Sequence, residues 1–161
     1  MYLLDANVFI QSHRAHYGLD FVPAFWDWLD HSFSAGMVHS IQPIGSEIAV
    51  GSDELSEWAA SRSGLFVPLD AACGPSLRTI ATWANSGHFS QSAVNDFLSI
   101  ADYQLVAYAH AHELTVVTME KSEPARQNKV KVPDACIAHG IPWATPFQML
   151  RSEKASFVLG A

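Results

Sequence analysis

Asp5, Glu47, Asp102 and Glu120 are the residues of this chain whose type and spacing suit phosphodiester chemistry. Asp5 interrupts the apolar opening Tyr2–Ile10 (YLLDANVFI), and an acid inside such a run has to be satisfied by a partner or a cation. Asp102 opens a helical stretch that leads into the β-branched run LTVVT, and Glu120 stands just beyond that run. Glu47 lies in the helix expected after a second strand. Hydrolysis of a phosphodiester needs an activated water and stabilisation of charge on the phosphate. Mg²⁺ or Mn²⁺ supplies both when hard oxygen ligands hold it. Two-metal sites keep their ions roughly 3.5–4 Å apart, so their carboxylates must converge. Taken singly, each acid has an ordinary role: Asp102 as a helix cap or macrodipole partner, Glu47 as a solvated helix residue. The constellation carries the inference.

The elements that must position these acids follow from hydrophobic patterning. Tyr2–Ile10 reads as a buried strand ending near Asp5, followed by a turn into a helix. Phe25, Trp28 and Leu29 have helical spacing within the aromatic stretch 21–33. Met37–Ile41 reads as a second strand, and Pro43 suits the first turn of a helix carrying Ile44, Glu47 and Ile48. A helix is expected over 53–61, a strand over 66–69, and helices over 77–83, 92–99 and 102–112. Leu114–Thr118 is a strand of the buried parallel type. A loose basic stretch, 127–132, precedes a short helix over 133–139, a last strand over 141–144 and a closing helix opened by Pro146. Strands alternating with helices predict an α/β protein with a mainly parallel sheet, as one domain over residues 1–161. Ligands of such sheets bind outside the carboxyl ends of the strands, so all four acids are expected on one rim. Crowding them there raises their mutual repulsion, which a divalent cation relieves.

The same residues resemble the PIN domain family. YLLDANVFI is similar to its first strand, which usually ends D-[TS]-[NS]; Asp5 and Asn7 match, while Ala6 stands where a small hydroxyl residue is usual. VHSIQPIGSEIAVG resembles the second motif, with Glu47 as its acid. ADYQLVAYAHAHELTVVTME is similar to the third and fourth motifs together, placing Asp102, Thr118 and Glu120, with Glu where Asp is commoner. The tail KVPDACIAHGIPWATPFQMLR resembles a bacterial PIN-like subfamily of this size. The resemblance implies a three-layer α/β/α sandwich and a ribonuclease dependent on Mg²⁺ or Mn²⁺. Asp5, Glu47, Asp102 and Glu120 would be catalytic metal ligands, with Asn7 and Thr118 orienting carboxylates or waters. The longer Glu120 implies a shifted or weaker second metal. The resemblance also implies a toxin of the VapBC kind, held inactive by a cognate antitoxin.

Composition sets the remaining bounds. With 161 residues, 49% hydrophobic and 16% charged, the chain has an ordinary globular balance and no apolar run of membrane-spanning length. The opening lacks the basic region and unbroken apolar core of a signal peptide, so a cytoplasmic protein is expected. Cys73 and Cys136, outside any C-x-x-C pair, read as two buried reduced thiols. A net charge of −7 argues against a protein that coats nucleic acid through counterion release, though not against an enzyme that concentrates its acids in one site. His13 and His16 lack a third ligand and read as surface residues, as do His110 and His112. No phosphate-cradling glycine motif occurs, and Gly45-Ser46-Glu47 is not a nucleophile elbow. Asp134 reads as the N-cap of the helix after Pro133. Lys121, Arg126, Lys129 and Lys131 suit either substrate phosphates or a solvated loop. The aromatic stretch around Phe25, Trp26 and Trp28 suits a contact surface for an antitoxin, or packing within the fold or a homodimer. Two other functions stay open: a catalytically weak module that binds RNA or protein, and a phosphatase acting on small esters.

Overall fold

In the computed structural model, which describes residues 1–158, five short strands form one all-parallel sheet in the order β3-β2-β1-β4-β5. These are β1 (Tyr2–Leu4), β2 (Val38–Ile41), β3 (Phe66–Val67), β4 (Thr115–Val117) and β5 (Trp143–Ala144). Their runs are apolar on both faces because helices cover both, as parallel sheets require. Leu3, Leu4, Val38, Val116 and Val117 have no exposed surface. Tyr2 pairs with Val38 on one side and Thr115 on the other, which makes β1 the centre of the sheet.

The chain runs outward from β1 through β2 to β3, then returns to the opposite flank of β1 with β4 and β5. The strand order therefore reverses between β1 and β4. A crevice opens outside the carboxyl ends of strands at such a reversal. Asp5 follows β1 directly, and its backbone N–H donates to the carbonyl of Val117 at the end of β4 (3.0 Å). Hydrogen bonding thus ties the two segments that frame the crevice.

The α-helices are α1 (Ala6–Gln11), α2 (Pro23–Ser34), α3 (Gln42–Ala49), α4 (Glu54–Ala60), α5 (Cys73–Ala84), α6 (Gln91–Ser99), α7 (Ala101–His112), α8 (Val132–Ala138) and α9 (Pro146–Ser152). With the sheet they form the expected three-layer α/β/α sandwich. Local chemistry sets several of their limits. Proline stands in the first turn of α2, α3, α8 and α9, where its missing N–H costs nothing. The side chains of Asp53 and Ser90 cap α4 and α6, and Thr145 with Gln148 forms a capping box on α9. Gly140 ends α8 in the left-handed conformation (φ +66°). Among the described residues, no helix is long and apolar enough to cross a membrane.

The aromatic stretch of α2 turns largely inward. Phe25 is fully buried and Trp26 is 2% exposed, so these two rings pack within the fold, while Trp28 is half-buried. A turn of π-helix at Ser12–His16, unforeseen in the sequence, carries the chain back over them. Tyr17 stacks on Phe25 (centroids 4.4 Å apart), Trp26 donates from Nε1 to the carbonyl of Tyr17 (2.6 Å), and Trp58 and Phe157 close the cluster edge-on. Burying each such ring contributes about 1.5–3 kcal/mol, which favours packing inward over display. His13 and His16 lie within this π turn, where His13 Nε2 faces Glu54 Oε2 at 3.6 Å.

Candidate metal centre

A cavity of about 530 Å³ occupies the crevice at the strand reversal, and Asp5, Asn7, Glu47, Asp102, Glu120, Lys129 and Lys131 all line it. The four acids singled out by sequence therefore share one pocket. They do not sit there in equivalent ways.

Asp5 occupies the N-cap position of α1, yet its side chain accepts no backbone N–H from that helix. Its Oδ2 instead accepts from Asn7 Nδ2 (2.6 Å) and Thr118 Oγ1 (2.7 Å). Among the described residues no hydrogen bond goes to Oδ1, which leaves that oxygen to the cavity. Asn7 and Thr118 are themselves locked: Asn7 Oδ1 accepts from the backbone N–H of Met119 (2.8 Å), and Asn7 Nδ2 also donates to Thr118 Oγ1 (3.0 Å). Asp5 is 2% exposed and Thr118 fully buried. A carboxylate held on one side and bare on the other is oriented as metal-binding carboxylates are.

Asp102 lies in the first turn of α7, where the N-cap is Ile100 and no side-chain cap bond forms. The ordinary capping role is thus unused, while the helix N-terminus directs its partial positive charge toward the acid. Glu47 stands in the second half of α3, later than its sequence position suggested, and is exposed on the cavity's rim.

The acids acting on one another perturb two of these groups. Burial, then the charge of Asp102, pushes Asp5 up to about 7; the Thr118 hydrogen bond opposes this, and Glu120 and Glu47 add to it. Burial, then Glu120 and Glu47, raises Asp102 to about 6 against the opposing charges of Lys129 and Lys131. Such mutual destabilisation of carboxylates is what a bound divalent cation removes. The donors are hard oxygens, so they fit Mg²⁺ or Mn²⁺ better than a thiophilic ion.

Glu120 is engaged differently. Its Oε1 lies 3.2 Å from Lys131 Nζ and 3.3 Å from Lys129 Nζ, and its Oε2 accepts from the backbone N–H of Val132 (2.9 Å). Both oxygens are spoken for. Lys129 and Lys131 thereby become part of the cavity wall, as does Lys121, whereas Arg126 is not among the lining residues and pairs with Glu123 (3.0 Å). Asp134 caps no helix, because the N-cap of α8 is Lys131. It accepts instead from Ser122 Oγ (2.5 Å) and the backbone N–H of Glu123 (3.0 Å), which pins the loop that delivers the lysines. Cys136 is buried as expected, its thiol pushed up to about 12 by burial and then by Asp5.

The pocket therefore combines convergent acids with two ammonium groups at the switch point of a doubly wound sheet. Proteins of that class place ligands there. The chain belongs to the family described as Domain of unknown function (DUF4411), whose model matches residues 2–157. Neither the curated proteins nor the solved structures yielded a match to it.

Proposed function

We propose that this chain is a metal-dependent ribonuclease of the PIN type, acting at the cavity between β1 and β4. The observation that supports it best is Asp5: an acid raised toward neutrality by burial and then by the charge of Asp102, with Oδ2 anchored by Asn7 and Thr118 and Oδ1 left to the cavity. Asp5, Asp102 and Glu47 would hold Mg²⁺ or Mn²⁺, which when bound supplies Lewis acidity and a more acidic water. Asn7 and Thr118 fix the Asp5 carboxylate. Lys129 and Lys131, steadied by Glu120, offer ammonium groups to a substrate phosphate. RNA as the substrate, and a toxin role under a cognate antitoxin, rest on the resemblance to PIN domains. Incubating the protein with RNA and Mn²⁺, with and without EDTA, tests the activity. Cleavage that EDTA stops supports it, and intact RNA at high enzyme concentration counts against it.

One observation favours a second reading, a catalytically weak module that binds RNA. Lys129 and Lys131 already pair with Glu120, so one of the four acids has cationic partners within the protein. Binding of RNA without cleavage in Mn²⁺ supports that alternative.

A further inference from the structure

At the far end of α7 from Asp102, a second group of donor side chains meets. Asp70 precedes α5, Cys73 opens it, and His112 is the last residue of α7. One donor atom from each lies within 4.8 Å of the other two. Asp102 and His112 are ten residues apart on one helix, roughly 15 Å at 1.5 Å per residue, so this group is separate from the carboxylate cavity.

Part of the arrangement has a plain structural explanation. Asp70 Oδ1 accepts from the backbone N–H of Ala72 (3.1 Å) and lies 3.5 Å from Cys73 Sγ, as an acid at a helix entrance would. That explanation stops at Oδ1. His112 Nε2 is buried and its polar neighbour is Asp70 Oδ2 at 3.1 Å, an ion pair when the imidazole is protonated. The imidazole is held in that pose by packing on Tyr108, with ring centroids 4.3 Å apart. Cys73 is 1% exposed, so two buried donors converge on a carboxylate that is open to solvent. Apart from that carboxylate the buried nitrogen has no polar partner among the described residues, so a cation between the two satisfies both.

We infer that Asp70, Cys73 and His112 form a binding site for a borderline divalent cation of the zinc class. Zinc bonds sulfur at about 2.3 Å and nitrogen or oxygen at about 2.0–2.2 Å, so donors round a tetrahedral ion lie roughly 3.3–3.7 Å apart. Asp70 Oδ1 lies 3.5 Å from Cys73 Sγ, Asp70 Oδ2 lies 3.1 Å from His112 Nε2, and one donor from each residue lies within 4.8 Å of the others, so side-chain adjustment of about an ångström brings the three round one ion. A thiolate and an imidazole select zinc over Mg²⁺ or Mn²⁺, which the carboxylate cavity suits. On binding, the Cys73 thiol gives its proton to solvent and His112 offers its neutral Nε2 lone pair. Three protein donors leave the fourth position, on the exposed Asp70 side, to water or an added ligand. The ion would clamp the start of α5 to the end of α7.

Titrating Co²⁺ into the full, reduced chain tests this, because a Co²⁺–thiolate bond absorbs in the near ultraviolet. The expected result is a thiolate charge-transfer band that saturates at one equivalent and is displaced by Zn²⁺. Cys73→Ser abolishes the band, and His112→Ala weakens the affinity at least tenfold. Cys136→Ala keeps the band, since that thiol is elsewhere. Asp102→Asn also keeps it, so the result is independent of the proposed nuclease centre. Circular dichroism of each variant ensures that the chain compared is folded; should Cys73→Ser unfold, His112→Gln replaces it. No band with excess Co²⁺, or a band that survives in the folded Cys73 or His112 variant, overturns the proposal.

Discussion

Lys131 Nζ lies 3.2 Å from Glu120 Oε1 inside the cavity that also holds Asp5 and Asp102. An ammonium group thus sits where a carboxylate site could have placed another cation. Under the proposed function, Glu120 positions Lys131 and Lys129 and is not a metal ligand. Glu120→Gln should then lower RNA cleavage by about 10–100-fold, the usual cost of losing an orienting partner. Asp5→Asn should remove cleavage altogether. Initial rates at saturating Mn²⁺ decide between them; equal loss in both variants would place Glu120 on the metal.

Asn7 bridges Asp5 Oδ2 and the backbone of Met119. Asn7→Ala leaves the donor set intact but frees the Asp5 carboxylate to rotate. Mn²⁺ affinity should fall by roughly 10–100-fold, and adding Mn²⁺ should recover part of the cleavage. Activity against Mn²⁺ concentration separates that shift from a loss that no concentration restores.

The raised Asp5 and Asp102 make stability depend on pH in a definite direction. Their folded values, about 7 and about 6, lie above the ordinary carboxyl value of 3.8. Between these limits the folded protein binds more protons than the unfolded chain, so stability is complete below about pH 4 for these two groups and is lost as pH rises through 6 and 7. Each unit is worth roughly 1.4 kcal/mol, so Asp5 alone accounts for a few kcal/mol. Metal-free protein should melt at lower temperature at pH 8 than at pH 6. Mn²⁺ should flatten or reverse that trend. Thermal melts in EDTA and in Mn²⁺ across this range provide the check.

Asp5→Asn removes one charge from the crowded pocket. In EDTA at pH 8 its melting temperature should equal or exceed that of the wild type, by about 2–4 °C for each kcal/mol relieved. A large drop would mean that the Asp5 carboxylate is a structural group, and its role in metal binding would lose its main support.

If the chain is a nuclease toxin, as proposed, expressing it alone arrests growth and Asp102→Ala relieves the arrest. Growth curves after induction test this. Harmless expression of a protein that cleaves RNA in vitro would remove the toxin role and leave the nuclease.

That Asp5 needs partners was legible because an acid inside YLLDANVFI contradicts its surroundings, and a contradiction of that kind needs a cause. The LTVVT strand was legible from its β-branched run. Although α7 buries Leu105, Val106, Ala107 and Ala109 on more than one face, Asp102 was legible from its place at the start of the helical stretch leading into that run. The return of Lys129 and Lys131 onto Glu120 was not. It depends on a loop without periodicity, whose path is fixed by Asp134 holding Ser122 and Glu123. Packing of Phe25 and Trp26 within the fold was one of two readings left open, and what covers them was hidden, because Phe157 and the π turn are remote or irregular. Asp70, Cys73 and His112 meet only because α5 packs along α7, a pairing that no local pattern announces.

Calorimetric titration of Mn²⁺ into the wild type and into Asp5→Asn and Asp102→Asn bears most directly on the central claim. Near neutral pH the wild type should bind Mn²⁺ at the cavity and release protons as Asp5 and Asp102 ionise, so the measured heat should vary with the ionisation enthalpy of the buffer. Each variant should lose that binding. Failure of the wild type to bind Mn²⁺, or binding that survives unchanged in both variants, would contradict the assignment of these carboxylates to a metal centre.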